Sequence, residues 1–223
     1  MNDSLFVMLE CSNPECRFRF PDFAIHRRAK RCPACSAELL TPQAAFENHN
    51  SPPADLSNGL EVHVLLDNLR SVLNVGSIFR TADGAGVSRL ILGGITATPN
   101  HPQLAKTSLG AEHSLPWEHT PNGRLLCEKY KTLGFRILSL ESTPDSTSLF
   151  HLFNGKPPES VNSQPPARLL FVVGNEISGV DPAILSLSDH ICHIPMAGMK
   201  ESLNVAVAFG IAIYYLRFGI FLE

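Results

Sequence analysis

Three short polar segments, each beside an apolar stretch, carry the residues of this chain that are best suited to bind a ligand. They are segments 74–80 (Asn-Val-Gly-Ser-Ile-Phe-Arg), 174–179 (Gly-Asn-Glu-Ile-Ser-Gly) and 194–205, which starts with Ile-Pro-Met and ends with Ser-Leu-Asn-Val. In open α/β sheets, ligands bind outside the carboxyl ends of the strands. Because each segment follows a predicted strand or starts a predicted helix, we expect all three to meet in one site.

The polar groups of the first two segments predict a charged or strongly polar site. Glu176 comes directly after the wholly apolar stretch Leu169–Val173, where a carboxylate is poorly solvated and needs a cation or a set of amide donors. Arg80 is the candidate cation. Gly174 allows a ligand to approach the backbone closely, and Asn74 is predicted to cap the helix that follows it.

The third segment leads into a long apolar helix. Ser202 is interpreted as its N-cap or first residue, where neighbouring free amides favour a carboxylate or another anion. Asn204 lies at the same end and is too polar for a helix that is otherwise so apolar. Capping alone explains Ser202, whereas Asn204 indicates a role in the site.

Several common reaction classes lack their sequence signatures. Gly84-Ala85-Gly86 resembles half of a dinucleotide fingerprint, but it closes a predicted helix instead of opening one. The sequence has no Gly-x4-Gly-Lys-Ser/Thr loop for nucleoside triphosphates and no Gly-x-Ser-x-Gly elbow for acyl transfer.

Four cysteines near the start of the chain have the spacing of a structural zinc site. Cys11-x4-Cys16 and Cys32-x2-Cys35 form two knuckles that could hold one tetrahedral ion, and metal binding would stabilise a unit too small for a large core. The alternatives are a redox pair at Cys32 and Cys35, which no βαβ pattern supports, and disulfides of a secreted domain, which no signal peptide supports. The other two cysteines, Cys127 and Cys192, are expected in the core.

The stretch between the two knuckles is basic and aromatic. It contains six cations and one acidic residue, Asp22, and phenylalanines are interleaved with the arginines. This pattern suits stacking on unpaired bases and pairing with phosphates, although a ribbon also needs some apolar residues and a solvated face. We expect RNA contact from Arg17, Arg19, Arg27, Arg28, Lys30 and Arg31.

Beyond residue 59, short apolar runs alternate with longer amphipathic ones, which predicts an α/β fold with a mostly parallel sheet covered on both faces. The expected domains are a zinc ribbon at 1–41, a linker at 42–58 and the larger domain at 59–223. Two long loops are expected, at 93–118 and 142–167; the first contains Lys106, His113, Trp117 and His119 and could cover a site. The predicted strands are Glu61–Leu66, Arg89–Leu92, Phe135–Leu140, Leu169–Val173 and His190–Pro195, and the predicted helices are Val75–Gly84, Leu125–Leu133, Pro182–Ser186 and Ser202–Leu216.

The overall composition is that of an ordinary soluble protein, and a cytoplasmic location is expected. The chain has 223 residues, 44% of them hydrophobic, and a formal net charge of −3, so nucleic-acid affinity must come from local patches. No secretory signal is expected, and the longest apolar run, Leu203–Leu216, is too short for a membrane span. A helix that is apolar nearly all round is buried on most sides, which in a chain of this size indicates packing against a second subunit.

The three segments, in this order, resemble the three motifs of the SpoU (TrmH-like) branch of the SPOUT superfamily, the RNA 2′-O-ribose methyltransferases. The resemblance covers about Leu60 to Arg217. It implies a sheet whose C-terminal part is tied into a deep trefoil knot, a homodimer, and S-adenosylmethionine bound in the knot. The expected partner is tRNA or rRNA, and no membrane is involved.

The resemblance also implies roles for individual residues. The cofactor would lie against Leu140, Glu141, Gly174, Asn175, Glu176, Ile194, Pro195, Met196, Ser202 and Leu203. Arg80 matches the catalytic arginine that acts across the dimer interface, with Asn74 nearby, and the polar active-site residues are matched by Glu176, Ser202 and Asn204.

Two other functions remain open from the sequence. The first is a non-catalytic RNA-binding or ribosome-assembly protein that keeps a knotted domain as a docking platform. The presence of Asn74, Arg80, Glu176, Ser202 and Asn204 argues against it. The second is a knotted methyltransferase that modifies a base, which only the family resemblance of Arg80 and the 202–204 segment disfavours.

Overall fold

A computed structural model describes residues 6–44, 59–152 and 168–219. The chain divides into two compact units, Met1–Ala54 and Asp55–Glu223. Each unit has its own sheet.

The first unit is a three-stranded antiparallel sheet. Its strands are β1 (Phe6–Cys11), β2 (Arg19–Phe23) and β3 (Leu39–Ala44), in the order β2-β1-β3. Strand β3 continues to Ala44, so this unit extends beyond the boundary at residue 41 that the sequence indicated. The first residues of the predicted linker 42–58 therefore belong to β3, and residues 45–58 lie outside the described residues.

The second unit contains a seven-stranded sheet in which every pair of neighbouring strands is parallel. The strand order is β6-β5-β4-β9-β7-β10-β8. All five predicted strands are confirmed, whereas β6 and β8 lie in stretches that were expected to be loops. The strands are β4 (Glu61–Asp67), β5 (Arg89–Gly93), β6 (Trp117–Thr120), β7 (Arg136–Leu140), β8 (Thr147–Ser148), β9 (Arg168–Val173) and β10 (His190–His193).

Helices cover both faces of this sheet, and an apolar layer fills each side. Phe79 and Phe209 belong to one layer and Cys127 and Ile184 to the other. Strand β9 contributes to both layers because its successive residues point to opposite faces and all are apolar from Leu169 to Val173. The helices are α1 (Val72–Gly84), α2 (Ala105–Ser108), α3 (Ala111–Ser114), α4 (Gly123–Thr132), α5 (Pro182–Leu185) and α6 (Val205–Phe218), with a 3₁₀ turn at Leu149–His151.

The two functionally important helices begin at residues that the sequence did not indicate. Helix α1 has Ser71 as its N-cap, and the Ser71 hydroxyl accepts the Asn74 backbone N–H at 3.3 Å, so the prediction that Asn74 is the N-cap was wrong. Helix α6 has Asn204 as its N-cap, with its side chain accepting the N–H groups of Ala206 and Val207. The interpretation of Ser202 as N-cap or first residue was therefore also wrong. In the first case a hydroxyl three residues earlier provides the cap, which leaves the Asn74 side chain free for other contacts.

A buried arginine fastens the end of α6 to the end of α1. Arg217 is only 5% exposed, and its guanidinium donates to the carbonyls of Ala85 (3.0 Å), Gly86 (3.0 Å) and Leu60 (2.6 Å). Carbonyls at a helix C-terminus have no partner within the helix, and a cation there also complements the helix dipole. Despite the apolar character of α6, no helix in the described parts of the chain has the length and hydropathy to cross a bilayer.

Replacing this arginine should destabilise the second unit strongly. We expect Arg217→Met to lower the free energy of unfolding by about 2–4 kcal/mol, because it leaves three carbonyls without their donor. Urea unfolding followed by the fluorescence of Trp117, the single tryptophan, reports on this unit because Trp117 lies in β6. The control is Arg124→Met on α4, whose arginine forms an exposed pair with Glu128 and should change stability by less than about 0.5 kcal/mol. Equal midpoints for the two variants would contradict this role.

Candidate functional site

A cavity of about 700 Å³ lies at the carboxyl ends of β7, β9 and β10. Its volume is in the range of small-molecule sites in proteins, and its position is the one expected for ligands of α/β sheets. The N-terminal residues of α1 and α6 close it from the side. The residues that line it are Arg70, Ser71, Asn74, Leu140, Glu141, Ser142, Val173, Gly174, Asn175, Glu176, Ile177, Gly179, His193, Ile194, Glu201, Ser202, Leu203, Asn204, Val205 and Ala208.

A chain of hydrogen bonds joins the three polar segments at this cavity. The Asn74 Nδ2 group donates to Glu176 Oε1 at 3.1 Å, and Asn74 Oδ1 accepts from Asn204 Nδ2 at 3.1 Å. Asn204 Oδ1 in turn accepts the Ala206 N–H at 2.9 Å at the start of α6. The segments predicted to form one site therefore do meet.

Glu176 is stabilised by amide donors, one of the two possibilities the sequence left open. Its carboxylate accepts the backbone N–H groups of Arg70 (2.9 Å) and Ser71 (3.0 Å) in addition to the Asn74 amide. Partial burial raises the pKa of this carboxyl, but these hydrogen bonds outweigh that effect and hold its pKa below the ordinary value. The predicted pairing of Glu176 with Arg80 was wrong, because donors at the N-terminus of α1 occupy the carboxylate.

The loop after β9 owes its shape to glycine and to carboxylate contacts. Only glycine fits at position 174, because a Cβ there would overlap Gly179 and the backbone nitrogen of Val180. The loop itself therefore fills the space beside Gly174 that the sequence assigned to a ligand. Asn175 and Gly179 pair with each other across the loop. Glu141 Oε2 then accepts the Val180 N–H at 2.9 Å and ties this loop to the end of β7.

Most of the predicted cofactor residues line the cavity, and two do not. Leu140, Glu141, Gly174, Asn175, Glu176, Ile194, Ser202 and Leu203 are lining residues, as are Asn74 and Asn204. Pro195 and Met196 follow Ile194 on the exposed side and are not among the residues that line it.

The sequence missed several residues of this site. His193, the last residue of β10, has its Nδ1 2.9 Å from the Ser146 hydroxyl, and Arg70, Ser71, Ser142 and Glu201 also line the cavity. For His193 and Ser142 the available signal was their position at the ends of β10 and β7.

Arg80 lies on α1 but does not line this cavity. Its side chain is exposed and borders a separate depression together with Ser77, Lys106 and Tyr214. Within one chain, therefore, the predicted catalytic arginine does not reach the predicted cofactor cavity and borders a different depression.

The four N-terminal cysteines form a candidate metal centre in the first unit. The sulfurs of Cys11, Cys16, Cys32 and Cys35 all lie within 4.8 Å of one another. The Cys11–Cys35 and Cys16–Cys32 sulfur distances are 3.4 and 3.8 Å. Tetrahedral zinc with Zn–S bonds of about 2.3 Å requires sulfurs about 3.8 Å apart, so the cluster fits this ion.

Backbone groups favour the metal-binding thiolate form at Cys32, whereas burial raises the pKa of Cys11 to about 12 and the pKa of Cys16 is raised despite the Phe18 backbone N–H. Burial raises the pKa of Cys32, but the N–H groups of Cys35 and Ala34 outweigh it and lower that pKa to about 7. Both knuckles end in a left-handed residue, Arg17 (φ 49°) and Ser36 (φ 63°), which turns the chain back after the second cysteine. The two halves of the cluster thus share one backbone design.

The basic stretch of this unit is organised by one buried carboxylate. Asp22 is 6% exposed and accepts the backbone N–H groups of Phe23 (2.8 Å) and Ala29 (2.9 Å), and the Ala29 bond in particular lowers the pKa of Asp22. The loop that it closes carries Arg28, whose guanidinium lies 4.9 Å from the Phe23 ring centre. All six predicted RNA-binding cations are exposed: Arg17, Arg19, Arg27, Arg28, Lys30 and Arg31.

Comparison with known proteins gives consistent matches over the second unit. Residues 61–214 match the SpoU rRNA Methylase family. The chain is 31% identical over 180 residues to the 23S rRNA (guanosine(2553)-2′-O)-methyltransferase RlmP of Bacillus subtilis, covering 81% of this chain and 67% of the relative. It is 31% identical over 157 residues to the tRNA (guanosine(18)-2′-O)-methyltransferase of Aquifex aeolicus, covering 68% of this chain and 66% of that protein.

A solved structure agrees with the fold. The SpoU methyltransferase AviRb from Streptomyces viridochromogenes in complex with AdoMet superposes with a TM-score of 0.59 at 28% identity, covering 70% of this chain and 59% of that one. The chain spans between about half and two thirds of the length of the curated relatives it matches.

The contacts of Glu176 predict a pH-dependent stabilisation of the cavity. At neutral pH we expect Glu176→Gln to cost about 1 kcal/mol of unfolding free energy, because a screened charge-assisted acceptor is lost. The folded-state pKa is lowered, so this contribution is present above the ordinary value of about 4.3 and is lost as the pH falls through the folded pKa. Trp117 fluorescence in urea titrations should show the two proteins converging in acid, as the pH falls through the lowered folded-state pKa.

The matched control for this prediction is Glu201→Gln, which changes another carboxylate of the same cavity. It should leave stability unchanged at neutral pH. A difference between wild type and Glu176→Gln that persists unchanged in acid would show that the carboxylate charge is not the cause.

Proposed function

The chain belongs to the SpoU rRNA methylase family, and from this premise we propose that it transfers the methyl group of S-adenosylmethionine to a ribose 2′-hydroxyl of tRNA or rRNA. The observation that carries the proposal is the hydrogen-bonded chain Glu176–Asn74–Asn204, which unites the three family-like segments around one cavity. Two relatives that are named as ribose methyltransferases of rRNA and tRNA support the same reaction.

The cavity suits a cofactor with both apolar and polar parts. Leu140, Ile194 and Leu203 offer apolar surface for an adenine ring, and Asn175 and Ser202 add polar groups beside it. The same strand ends would hold S-adenosylmethionine, which when bound supplies an electrophilic methyl group on a positively charged sulfur. The volume of about 700 Å³ is sufficient for a ligand of this size.

The protein itself has to align a ribose hydroxyl and help it lose a proton. Alignment alone can supply much of the rate. Asn74 and Asn204 are held in fixed orientations by their mutual hydrogen bond, so they can position the hydroxyl or the adjoining backbone. Arg80 stays protonated in water and is therefore a poor base, which leaves orientation and charge stabilisation as its role.

A homodimer completes this proposal, because Arg80 does not line the cavity of its own chain. Three exposed apolar residues, Val207, Ile211 and Tyr214, form a stripe on the outer face of α6, since their spacing brings them to one side of the helix. A second copy covering this stripe would bring Arg80 of one chain to the cavity of the other. It would also bury α6 on both sides, as its apolar sequence indicates.

The knot and the zinc ribbon are further parts of the proposal. Strand β9 lies between β4 and β7 although it follows both in the chain, an arrangement that is compatible with a deep trefoil knot of the C-terminal part. The close cysteine cluster supports structural zinc, and the exposed basic loop closed by Asp22 supports RNA contact from the ribbon. We also propose a cytoplasmic location, where metal-binding thiols stay reduced.

The direct test is methylation of RNA by the purified full-length chain. Total RNA is incubated with S-adenosylmethionine carrying a labelled methyl group, and the labelled nucleotide is mapped. The expected product is a single ribose-methylated position, found by its resistance to alkaline cleavage. Label on a base would favour the base-modifying alternative, and absence of any transfer would favour a non-catalytic RNA-binding protein.

The proposed role of Arg80 can be separated from cofactor binding. Arg80→Ala should reduce turnover by about a hundredfold or more, because a preorganised charge at the reacting group is lost, while calorimetry shows unchanged cofactor affinity. Asn204→Ala should also be inactive, because Asn204 lines the cavity of its own chain. If Arg80 acts across the interface, a co-expressed dimer of the two variants regains one working site. A mixed dimer that stays inactive would contradict sharing of the site between chains.

Loss of the metal centre should affect RNA affinity and leave the cofactor cavity intact. Cys32→Ser should abolish bound zinc, measured by a colorimetric chelator, and weaken RNA binding by about tenfold as the ordered cations of the ribbon are lost. Cofactor affinity and Trp117 fluorescence, which report on the second unit, should not change. Normal zinc content would contradict the ligand assignment, and normal RNA affinity would make the ribbon purely structural.

A further inference from the structure

The stretch between β5 and β6, which the sequence indicated as a loop, is built firmly onto α1. Its helix α2 approaches so closely that a Cβ at Gly76 would overlap the Thr107 hydroxyl and the Leu104 carbonyl. The Thr107 hydroxyl also donates to the Leu73 carbonyl of α1 at 3.1 Å. The position of α2 relative to α1 is therefore fixed by a glycine on one helix and a threonine on the other.

This contact sets Lys106 beside Arg80. Both cations border one depression of about 540 Å³, whose other polar groups include the hydroxyl of Ser77. Both side chains are exposed. Within residues 6–44, 59–152 and 168–219, neither cation forms an ion pair.

The acidic residues of the neighbouring helices are occupied by other contacts. Glu112 is 7% exposed, accepts the Gly110 N–H at 3.0 Å and lies 3.7 Å from His113. Asp83 of α1 accepts the Ser114 hydroxyl at 2.7 Å. In the described residues neither carboxylate forms an ion pair with Arg80 or Lys106, so both cations keep their side-chain donors available on helices that packing holds in place.

We propose that Lys106, which α2 holds beside Arg80, contacts a phosphate of the RNA backbone next to the reacting ribose. The proposal rests on the methyltransferase function above. Two cations and a hydroxyl group in one concave surface match phosphate oxygens, because lysine supplies a point charge, arginine a planar fork and the hydroxyl a further donor. Lys106 thus serves as a substrate-positioning cation, and α2 is the element that carries it.

The test is the salt dependence of RNA binding by the full-length protein without cofactor. The probe is a fluorescent single-stranded RNA of mixed sequence, and its affinity is measured over a range of salt concentrations. Lys106→Gln should weaken binding about three- to tenfold and reduce the slope of log affinity against log salt by about 0.7, the value for one phosphate contact on a single strand. In the methylation assay, the KM for RNA should rise while kcat and cofactor affinity stay unchanged.

The matched control is Lys129→Gln, which removes an exposed lysine from α4, a helix that packs on the other apolar layer of the sheet. It should keep the wild-type slope. A second variant, Thr107→Val, removes the hydroxyl that fixes α2 and should weaken RNA binding in the same direction, with Trp117 fluorescence confirming that the domain is folded.

An unchanged slope in Lys106→Gln would overturn the proposal, as would an equal loss in Lys129→Gln. The two hypotheses fail separately. A wild-type protein that methylates RNA while Lys106→Gln binds normally would remove the phosphate site alone. A wild-type protein that transfers no methyl group while the slope still depends on Lys106 would remove the reaction and leave the anion site.

Discussion

The position of α1 is the constraint on which the rest of the second unit depends, and two charged side chains of opposite sign set it. The Glu176 carboxylate accepts backbone N–H groups at the N-terminal end of α1, and the Arg217 guanidinium donates to carbonyls at its C-terminal end. Each charge complements the helix dipole and satisfies backbone groups that the helix leaves unpaired. Because Glu176 follows β9 and Arg217 lies in α6, these contacts lock the helix to both C-terminal elements that build the cavity.

Because α1 is held at both ends, it can contribute side chains in fixed positions to two separate binding surfaces. Asn74 and Arg80 are separated by about 9 Å along the axis, at 1.5 Å per residue, and point in different directions. Asn74 faces the strand-end cavity, whereas Arg80 faces the depression bordered by α2. The same rigid element therefore sets the geometry of the cofactor cavity and of the proposed phosphate site. The proposed dimer would combine the first from one chain with the second from the other.

The sequence predicted the parts of this fold whose signal is local. Apolar runs located all five predicted strands, and the change from apolar strand to polar loop located Glu176 and the third segment. Partners were harder to predict, because Glu176 pairs with backbone amides 105 and 106 residues away, and a backbone amide has no letter in the sequence. For the same reason the prediction chose Arg80 as the partner, which was wrong: Arg80 was a positively charged side chain that the sequence itself displays.

Helix α2 shows the same limit from another side. Its four residues are too few for a periodic pattern, so the stretch around Lys106 looked like a loop. Its order comes from Gly76, a residue on a different helix whose missing side chain makes room for Thr107. A glycine inside a helix costs stability relative to alanine, and here that cost is offset by the contact it permits. Glycine in the middle of a predicted helix is therefore a signal that another segment packs there, and in this chain that segment carries the cation next to Arg80.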